Sequence, residues 1–174
     1  MHGARVTYTT LDSPIGPLLL TSDGEALAGI YMESHKRGPQ PEGDWRRDSS
    51  PFRDVADQLA GYFAGRRRRF NLPIALGGTE FQRRVWSALR EIEFGHTLCY
   101  AELAERIGSP AAVRAVGAAV GRNPISIIIP CHRVVGSNGH LTGFAGGLER
   151  KRWLLDHEGA DVAPAAARRV HTSV

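Results

Sequence analysis

The residue pattern of this 174-residue chain changes at Gly77-Gly78, and that change constrains the fold more than any other feature. Before the glycine pair, short β-branched or apolar runs alternate with turn residues, whereas after it apolar residues recur at helical spacing. The sequence therefore predicts an α+β protein. We expect an α/β domain at 1–78, a mostly helical domain at 79–160 and a flexible tail at 161–174.

The first half is predicted to hold a small antiparallel sheet and one helix. A long segment rich in Pro, Gly and charged residues, from Glu33 to Pro51, is predicted to be a mobile surface loop. The predicted strands are Val6 to Thr10, Leu18 to Thr21, Leu27 to Met32 and Phe70 to Leu76, and the predicted helix runs from Pro51 to about Gly65.

Composition sets the broad class of the protein. A net charge of +4, 42% hydrophobic residues and 23% charged residues are typical of a globular protein. The two cysteines allow neither a disulfide framework nor a multi-cysteine zinc site. The N-terminus has no apolar leader and no apolar run reaches the length of a bilayer span, so we expect a cytoplasmic protein without a membrane partner.

Positive charge is concentrated in the second half. From Arg106 to Leu148 there is no Asp or Glu, but there are four arginines. Such a segment suits a phosphate backbone better than a membrane. A second basic run, Arg66 to Arg69, has two interpretations: a solvated connection after the helix, or a patch that contacts DNA.

Two short helices in the acid-poor region form a helix-turn-helix pattern. Ala101 to Ile107 is followed by a Gly-Ser-Pro break and then by Ala111 to Arg122. The second helix consists largely of Ala and Gly, although Gly117 and Gly121 each cost about 1 kcal/mol relative to Ala. Small side chains of this kind have two explanations. The helix either approaches a nucleic-acid groove closely or packs tightly on another helix.

The segment Ile129 to Val135 combines a thiol and an imidazole, Cys131-His132, in a run predicted to be extended. A thiolate beside a base is a strong nucleophile, although a buried, inert cysteine is the commoner situation. In an extended segment the two side chains point to opposite faces, so His132 would need a bend or a bridging water. Glu158, at the end of a predicted helix from Leu148 to His157, either completes a Cys-His-Glu relay or is simply solvated. Cys99 is predicted to be a core residue.

These residues belong to a longer ordered set. The segment Pro130 to Val135 resembles the active-site motif of the O6-alkylguanine-DNA alkyltransferases, and similarity to that family extends over nearly the whole chain. The matching elements are Thr10 to Gly16, Tyr62 to Gly65, Phe94-Gly95 with Tyr100, Arg114 to Gly117, Arg122 to Pro124, and Gly146 to Glu158.

The resemblance implies a ribonuclease H-like N-terminal domain and a helical C-terminal domain that contains the site. It makes Cys131 the acceptor of the alkyl group, and His132 the base that deprotonates it through a water. Glu158 would orient the imidazole, and Asn123 would support the turn beneath. Tyr100 would assist proton transfer to N3 of the leaving guanine.

The resemblance also assigns residues to the DNA and to the base pocket. Arg114 would fill the gap left by a flipped nucleotide while its helix enters the minor groove. The other residues assigned to DNA are Ala115, Gly117 and Ser137, and those assigned to the base are Val134, Phe144 and Ala145. Phe144 stands where many members have tyrosine, so the predicted pocket has no hydrogen bond from a hydroxyl at this position. The zinc ligands of the human-type protein have no counterparts, so no metal or cofactor is expected.

The implied function is direct-reversal repair, in which one chain irreversibly takes one alkyl group from O6-alkylguanine, or O4-alkylthymine, in duplex DNA. The protein is expected to be a monomer, and cooperative binding on DNA stays open. One alternative is a lesion-binding or regulatory helix-turn-helix protein without chemistry. Another is a Cys-His-Glu hydrolase that turns over repeatedly.

Overall fold

The computed structural model describes residues 5–36 and 38–162. They form two compact units. The first unit extends through Gly77 and includes Pro124–Ser126, and the second contains Gly78–Asn123 and the chain from Ile127 onward. The α+β class predicted from the sequence is confirmed. The longest helices among the described residues have 11 residues, so none of them could span a bilayer.

The first unit is built on a four-stranded sheet. Strands β1 (Thr7–Leu11), β2 (Leu18–Ser22) and β3 (Leu27–Met32) are antiparallel, as the alternation of β-branched runs and turns predicts. A two-residue strand, β4 (Arg46–Arg47), pairs in parallel with β1 and gives the order β3-β2-β1-β4. The prediction of a loop throughout Glu33 to Pro51 is therefore wrong at β4.

One helix, α1 (Arg53–Phe63), contributes to the core of this unit. A 3₁₀ turn at Ser50–Phe52 precedes it, with Pro51 early in the turn, where a missing N–H costs nothing. Apolar residues at helical spacing face the interior and join the inward side chains of the sheet. The buried set is Phe52, Val55, Leu59, Tyr62, Leu18, Leu20 and Ile30.

The predicted strand from Phe70 to Leu76 does not form. It makes a single bridge, in which the Leu27 N–H donates to the Pro73 carbonyl (3.2 Å) and the Ala75 N–H donates to the Leu27 carbonyl (2.8 Å). Pro73 has no N–H and cannot extend a hydrogen-bond ladder. The apolar run is thus an edge segment and not a strand.

A short piece of the later sequence completes the first unit. The Ile30 N–H donates to the Pro124 carbonyl (2.9 Å), and the Ser126 N–H donates to the Ile30 carbonyl (3.4 Å). These bonds give the open edge of β3 a partner. The contiguous domain expected at 79–160 is therefore interrupted at Pro124–Ser126.

The second unit is mainly helical. Its first three helices are α2 (Glu80–Arg90), α3 (Tyr100–Arg106) and α4 (Val113–Gly121). Thr79 caps α2, because its side chain accepts from the N–H of Gln82 in a capping box. The three helices contact one another, and the pair α3 and α4 is the predicted helix-turn-helix.

Three further elements frame the active-site segment. Strands β5 (Leu98–Cys99) and β6 (Val134–Val135) pair in parallel. Helix α5 (Leu148–Glu158) ends at Gly159, which adopts the left-handed conformation (φ 62°) that is common at helix C-termini. Of the predicted tail, Asp161 is held by a hydrogen bond from Thr97 Oγ1 to its carbonyl (2.7 Å), and 163–174 lie outside the described residues.

Candidate active site

Cys131, His132 and Arg133 form a 3₁₀ turn, which corrects the prediction of an extended segment. The Cys131 N–H donates to the Ile129 carbonyl (2.8 Å), and the Arg133 N–H donates to the Pro130 carbonyl (3.0 Å). A turn of three residues separates successive side chains by about 120°, not by the 180° of a strand. The bend that His132 would need is therefore built into the backbone.

The carboxylate of Glu158 joins the two basic side chains of this turn. Its Oε2 lies 2.7 Å from His132 Nε2, and its Oε1 accepts from Arg133 Nε at 2.7 Å. Arg133 Nη2 reaches Oε2 at 3.0 Å, and Arg133 Nη1 donates to the Ile92 carbonyl at 2.6 Å. All three charged or polar side chains are buried. The two partners also offset the unfavourable position of an acid at a helix C-terminus.

Electrostatics fix the proton on the imidazole. Burial by itself would raise the pKa of Glu158, but His132 and Arg133 outweigh it and hold that pKa far below its ordinary value. Burial lowers the pKa of His132 despite the attraction of Glu158, so the imidazole is neutral at physiological pH. An ionised carboxylate only accepts, so Nε2 bears the imidazole proton and Nδ1 keeps a lone pair. Among the described residues, this buried Nδ1 has no hydrogen-bond partner.

The Cys131 thiol is buried, with 6% of the residue exposed. Burial raises its pKa, while a hydrogen bond from the Asn123 side chain and the positive charge of Lys151 act in the opposite direction. Asn123 Nδ2 also donates to the Ile129 carbonyl (2.7 Å) and so fixes the residues just before the turn. The resting sulfur is consequently a thiol that needs a base.

Lys151 is a site residue that sequence reasoning missed. Its ammonium is fully buried and donates to three carbonyls, those of Val134 (2.6 Å), Thr142 (2.9 Å) and Gly143 (3.3 Å). Burial lowers its pKa to about 8, and the charge of Cys131 partly opposes that shift. Helical spacing could have found it, because Lys151 lies three and four residues before the buried Leu154 and Leu155.

The glycine-rich segment after the turn is tied to the site through one carbonyl. The Thr142 carbonyl accepts from Lys151 and also from the Tyr100 hydroxyl (3.3 Å). Burial raises the pKa of Tyr100, so this hydroxyl keeps its proton at neutral pH. Farther along, Phe144 and Ala145 are half-buried, and the Phe144 carbonyl accepts from the Gly147 N–H (2.9 Å).

The residues assigned to DNA lie at the surface of the second unit. Arg114 and Ala115 are exposed on α4, and Ser137 is exposed in a turn after β6. A Cβ atom added at Gly117 would meet only the Tyr100 ring, at an ordinary 3.8 Å, and one added at Gly121 would meet nothing within 4 Å. Tight helix packing therefore does not explain either glycine among the described residues.

The fold and the site together are those of a protein that uses a cysteine thiol as a nucleophile. A buried cysteine stands next to a neutral imidazole that an ionised carboxylate orients, in a unit that also contains a helix-turn-helix. Similarity to known proteins identifies the family within this class of cysteine-nucleophile proteins.

Two family models match the chain. Residues 80–160 match the DNA binding domain of 6-O-methylguanine DNA methyltransferase, and residues 6–76 match the ribonuclease-like domain of the same family. A methylated-DNA–protein-cysteine methyltransferase from Methanosarcina acetivorans is 49% identical over 88% of this chain and 98% of its own length. One from Mycobacterium bovis is 48% identical over 88% of this chain and 92% of its own.

A solved structure shows the same similarity. The Mycobacterium tuberculosis OGT in complex with DNA has a TM-score of 0.82 and 47% identity, over 92% of this chain and 97% of its own. The chain belongs to the 6-O-methylguanine DNA methyltransferase family.

Proposed function

We propose that this protein repairs DNA by direct reversal, transferring the alkyl group of O6-alkylguanine in duplex DNA to Cys131. The observation that carries the proposal is the unpaired, unprotonated Nδ1 of His132, which is buried in the residue that follows Cys131 and whose ring is oriented by Glu158. The named activity of the relatives and the DNA in a related crystal structure support the substrate. O4-alkylthymine is a second substrate with the same leaving-group chemistry.

The reaction begins with a proton transfer. His132 Nδ1 takes the thiol proton of Cys131 through a bridging water, and the ionised Glu158 stabilises the imidazolium that forms. Lys151 and the amide of Asn123 stabilise the thiolate, since both favour the charged form of the sulfur. These two groups partly oppose the rise in the thiol pKa that burial causes, and His132 supplies the base that the thiol needs.

The thiolate then attacks the alkyl carbon in line with O6. A carbon–sulfur bond forms, the carbon–O6 bond breaks, and its electron pair leaves with the guanine. Tyr100, which stays protonated at neutral pH because of its raised pKa, donates a proton to N3 of the departing base. The proton that His132 took from the thiol then passes through water to the tyrosinate, so both side chains return to their neutral forms. A thioether is stable to water, so one chain repairs one lesion.

Helix α4 is the element that we assign to the minor groove. The lesion must leave the base stack to reach a buried sulfur, at a cost of a few kcal/mol. The exposed Arg114 takes the place of the extruded nucleotide, while Ala115 and Gly117 keep the helix surface thin. Ser137 is assigned to the phosphate backbone of the same DNA. Open space at Gly121 supports this assignment over helix packing.

The base pocket is assigned to the segment between β6 and α5. The backbone groups of Val134 and Ala145 read the edge of the flipped base. Phe144 supplies an apolar wall without a hydroxyl, which favours contact with the alkyl group over a further hydrogen bond. The protein acts as a monomer, and its free thiol suits a reducing cytoplasm.

The decisive experiment is stoichiometric label transfer. Incubation with duplex that contains labelled O6-methylguanine should leave one label per chain, on the peptide that contains Cys131. Cys131→Ser should bind duplex normally and accept no label, and Cys99→Ser is the matched control that should react like the native chain. DNA binding without any transfer by the native chain would favour the lesion-binding alternative. Repeated turnover on an ester or amide would favour the hydrolase.

A further inference from the structure

The arginine run Arg66 to Arg69 forms an ordered loop at the C-terminal end of α1. The N–H groups of Arg66 and Arg67 both donate to the Gly61 carbonyl, at 2.8 and 3.1 Å. Gly65, with φ 78°, makes the left-handed turn that allows this return. The loop therefore begins from a fixed helix cap.

The far end of the loop is fixed as well. Gln58 and Asn71 bond reciprocally, since Gln58 Nε2 donates to the Asn71 carbonyl (2.9 Å) and the Asn71 N–H donates to Gln58 Oε1 (2.9 Å). The ring of Phe70 packs 5.5 Å from that of Tyr62. Both ends of the arginine loop are thus anchored on α1.

The four arginines do not have the same role. Arg67 is half-buried, lies against Gly61, and donates from Nη1 to the Arg69 carbonyl (3.0 Å), so it helps to hold the loop together. Arg66, Arg68 and Arg69 are exposed. Three guanidinium groups are consequently displayed on a backbone that is already ordered.

The arginine run places four positive charges in a stretch of the sequence that is poor in acids. No Asp or Glu occurs between Asp57 and Glu80. Successive Cα atoms are about 3.8 Å apart, less than the Debye length of about 8 Å at physiological salt, so repulsion between neighbouring arginines is only partly screened. A loop that is anchored at both ends cannot lower this repulsion by spreading, and bound anions would lower it. A plain helix-to-edge connection would need no such charge density.

We infer that Arg66, Arg68 and Arg69 form a second DNA-binding surface, on the first unit, which contacts the phosphate backbone of duplex DNA without reading its sequence. The choice of partner rests on the proposed function, in which DNA is the substrate. Guanidinium groups match phosphate geometry, and regularly spaced phosphates suit a row of arginines without any shape-specific pocket. The surface adds affinity for undamaged duplex and leaves the chemistry at Cys131 unchanged.

The test is the salt dependence of binding to undamaged duplex, measured by fluorescence anisotropy over a series of KCl concentrations. The variant Arg66→Gln/Arg68→Gln/Arg69→Gln should lower the slope of log K against log [KCl] by about 0.9 for each phosphate that is no longer neutralised, or about 2 to 3 in total. Replacing the same residues with lysine should retain most of the slope. The matched control removes three exposed arginines elsewhere in the unit, as Arg46→Gln/Arg47→Gln/Arg53→Gln.

The inference is overturned if the slope for the glutamine variant equals that of the native chain, or if it decreases no more than that of the control. The loop would then bind an anionic partner other than duplex DNA. Alkyl transfer from the free base O6-alkylguanine should be the same in all variants, because that substrate has no phosphates. Failure of the native chain to transfer alkyl groups would contradict the proposed function, whereas the slope comparison would still decide the role of the loop.

Discussion

His132 Nε2 and Glu158 Oε2 lie 2.7 Å apart, and both side chains are completely buried. Arg133 occupies the other oxygen of the same carboxylate, so one acid compensates two basic groups that follow each other in the sequence. This arrangement keeps Glu158 ionised and leaves the proton of the neutral imidazole on Nε2.

Replacing Glu158 with glutamine should destabilise the protein strongly. The change leaves the Arg133 guanidinium buried without its counter-charge, for which a cost of about 3–5 kcal/mol is typical. Urea unfolding measures the loss, and Glu149→Gln, at an exposed position early in the same helix, should change the free energy of unfolding by less than about 0.5 kcal/mol. Equal effects of the two substitutions would contradict the buried ion pair.

The same carboxylate should dominate the acid sensitivity of the fold. Because the folded-state pKa of Glu158 is well below its ordinary value of 4.5, its stabilising contribution is complete above that pH and is lost as the pH falls further. The free energy of unfolding of the native chain should therefore decrease below about pH 4.5. In Glu158→Gln that decrease should be shallower, and parallel curves for the two proteins would disprove the assignment.

Lys151→Met should slow alkyl transfer. The substitution removes the positive charge that favours the Cys131 thiolate and leaves three buried carbonyls without their donor. The rate at neutral pH should fall about tenfold for each unit by which the thiol pKa rises. The measurement is the pH profile of transfer from the free base, in which the inflection should move to higher pH. Arg152→Met, at the exposed neighbouring position, should leave the profile unchanged.

Arg114→Ala should separate repair of duplex from reaction with the free base. Transfer from O6-methylguanine in duplex should fall by at least tenfold, because the flipped state loses the side chain that fills its gap. Transfer from the free base should stay within about twofold, since Arg114 is exposed and contacts none of the buried relay. Arg90→Ala, an exposed arginine at the end of α2, is the control. Equal losses on both substrates would remove the role of Arg114 in base extrusion.

Gly117→Ala should stabilise the fold and weaken binding to DNA at the same time. The new methyl group meets the Tyr100 ring at an ordinary distance of 3.8 Å, and alanine is favoured over glycine in a helix by about 1 kcal/mol. Thermal unfolding and the dissociation constant for duplex give the two readouts. A gain in stability with unchanged affinity would argue against close approach of α4 to the groove.

Much of the local structure could be predicted because its causes are local. Thr79 and Gly159 mark helix ends by their own chemistry, and the strands β1 to β3 follow from β-branched runs between turn residues. The helix-turn-helix likewise follows from a glycine-containing break between two short helical patterns. In the site, Cys131 and His132 are close because they are consecutive in the sequence.

The other features depend on partners that are distant in the chain. The apolar Phe70 to Leu76 run reaches the sheet through a bridge at Leu27 and remains an edge segment, while Pro124–Ser126 leaves the second unit to pair with Ile30. Ile127, the next residue, adopts a φ of 76°, which a β-branched residue does not choose by local preference. Local sequence patterns do not predict these pairings or this backbone conformation.

The sequence by itself determined the class of fold, the ends of the helices and the adjacency of Cys131 and His132. Only the tertiary structure decided that these residues form a 3₁₀ turn, that Glu158 is shared between His132 and Arg133, and that Lys151 is buried. The physical reason is that protonation and nucleophilicity depend on burial and on charges from distant segments. Those segments come together only when the unit folds.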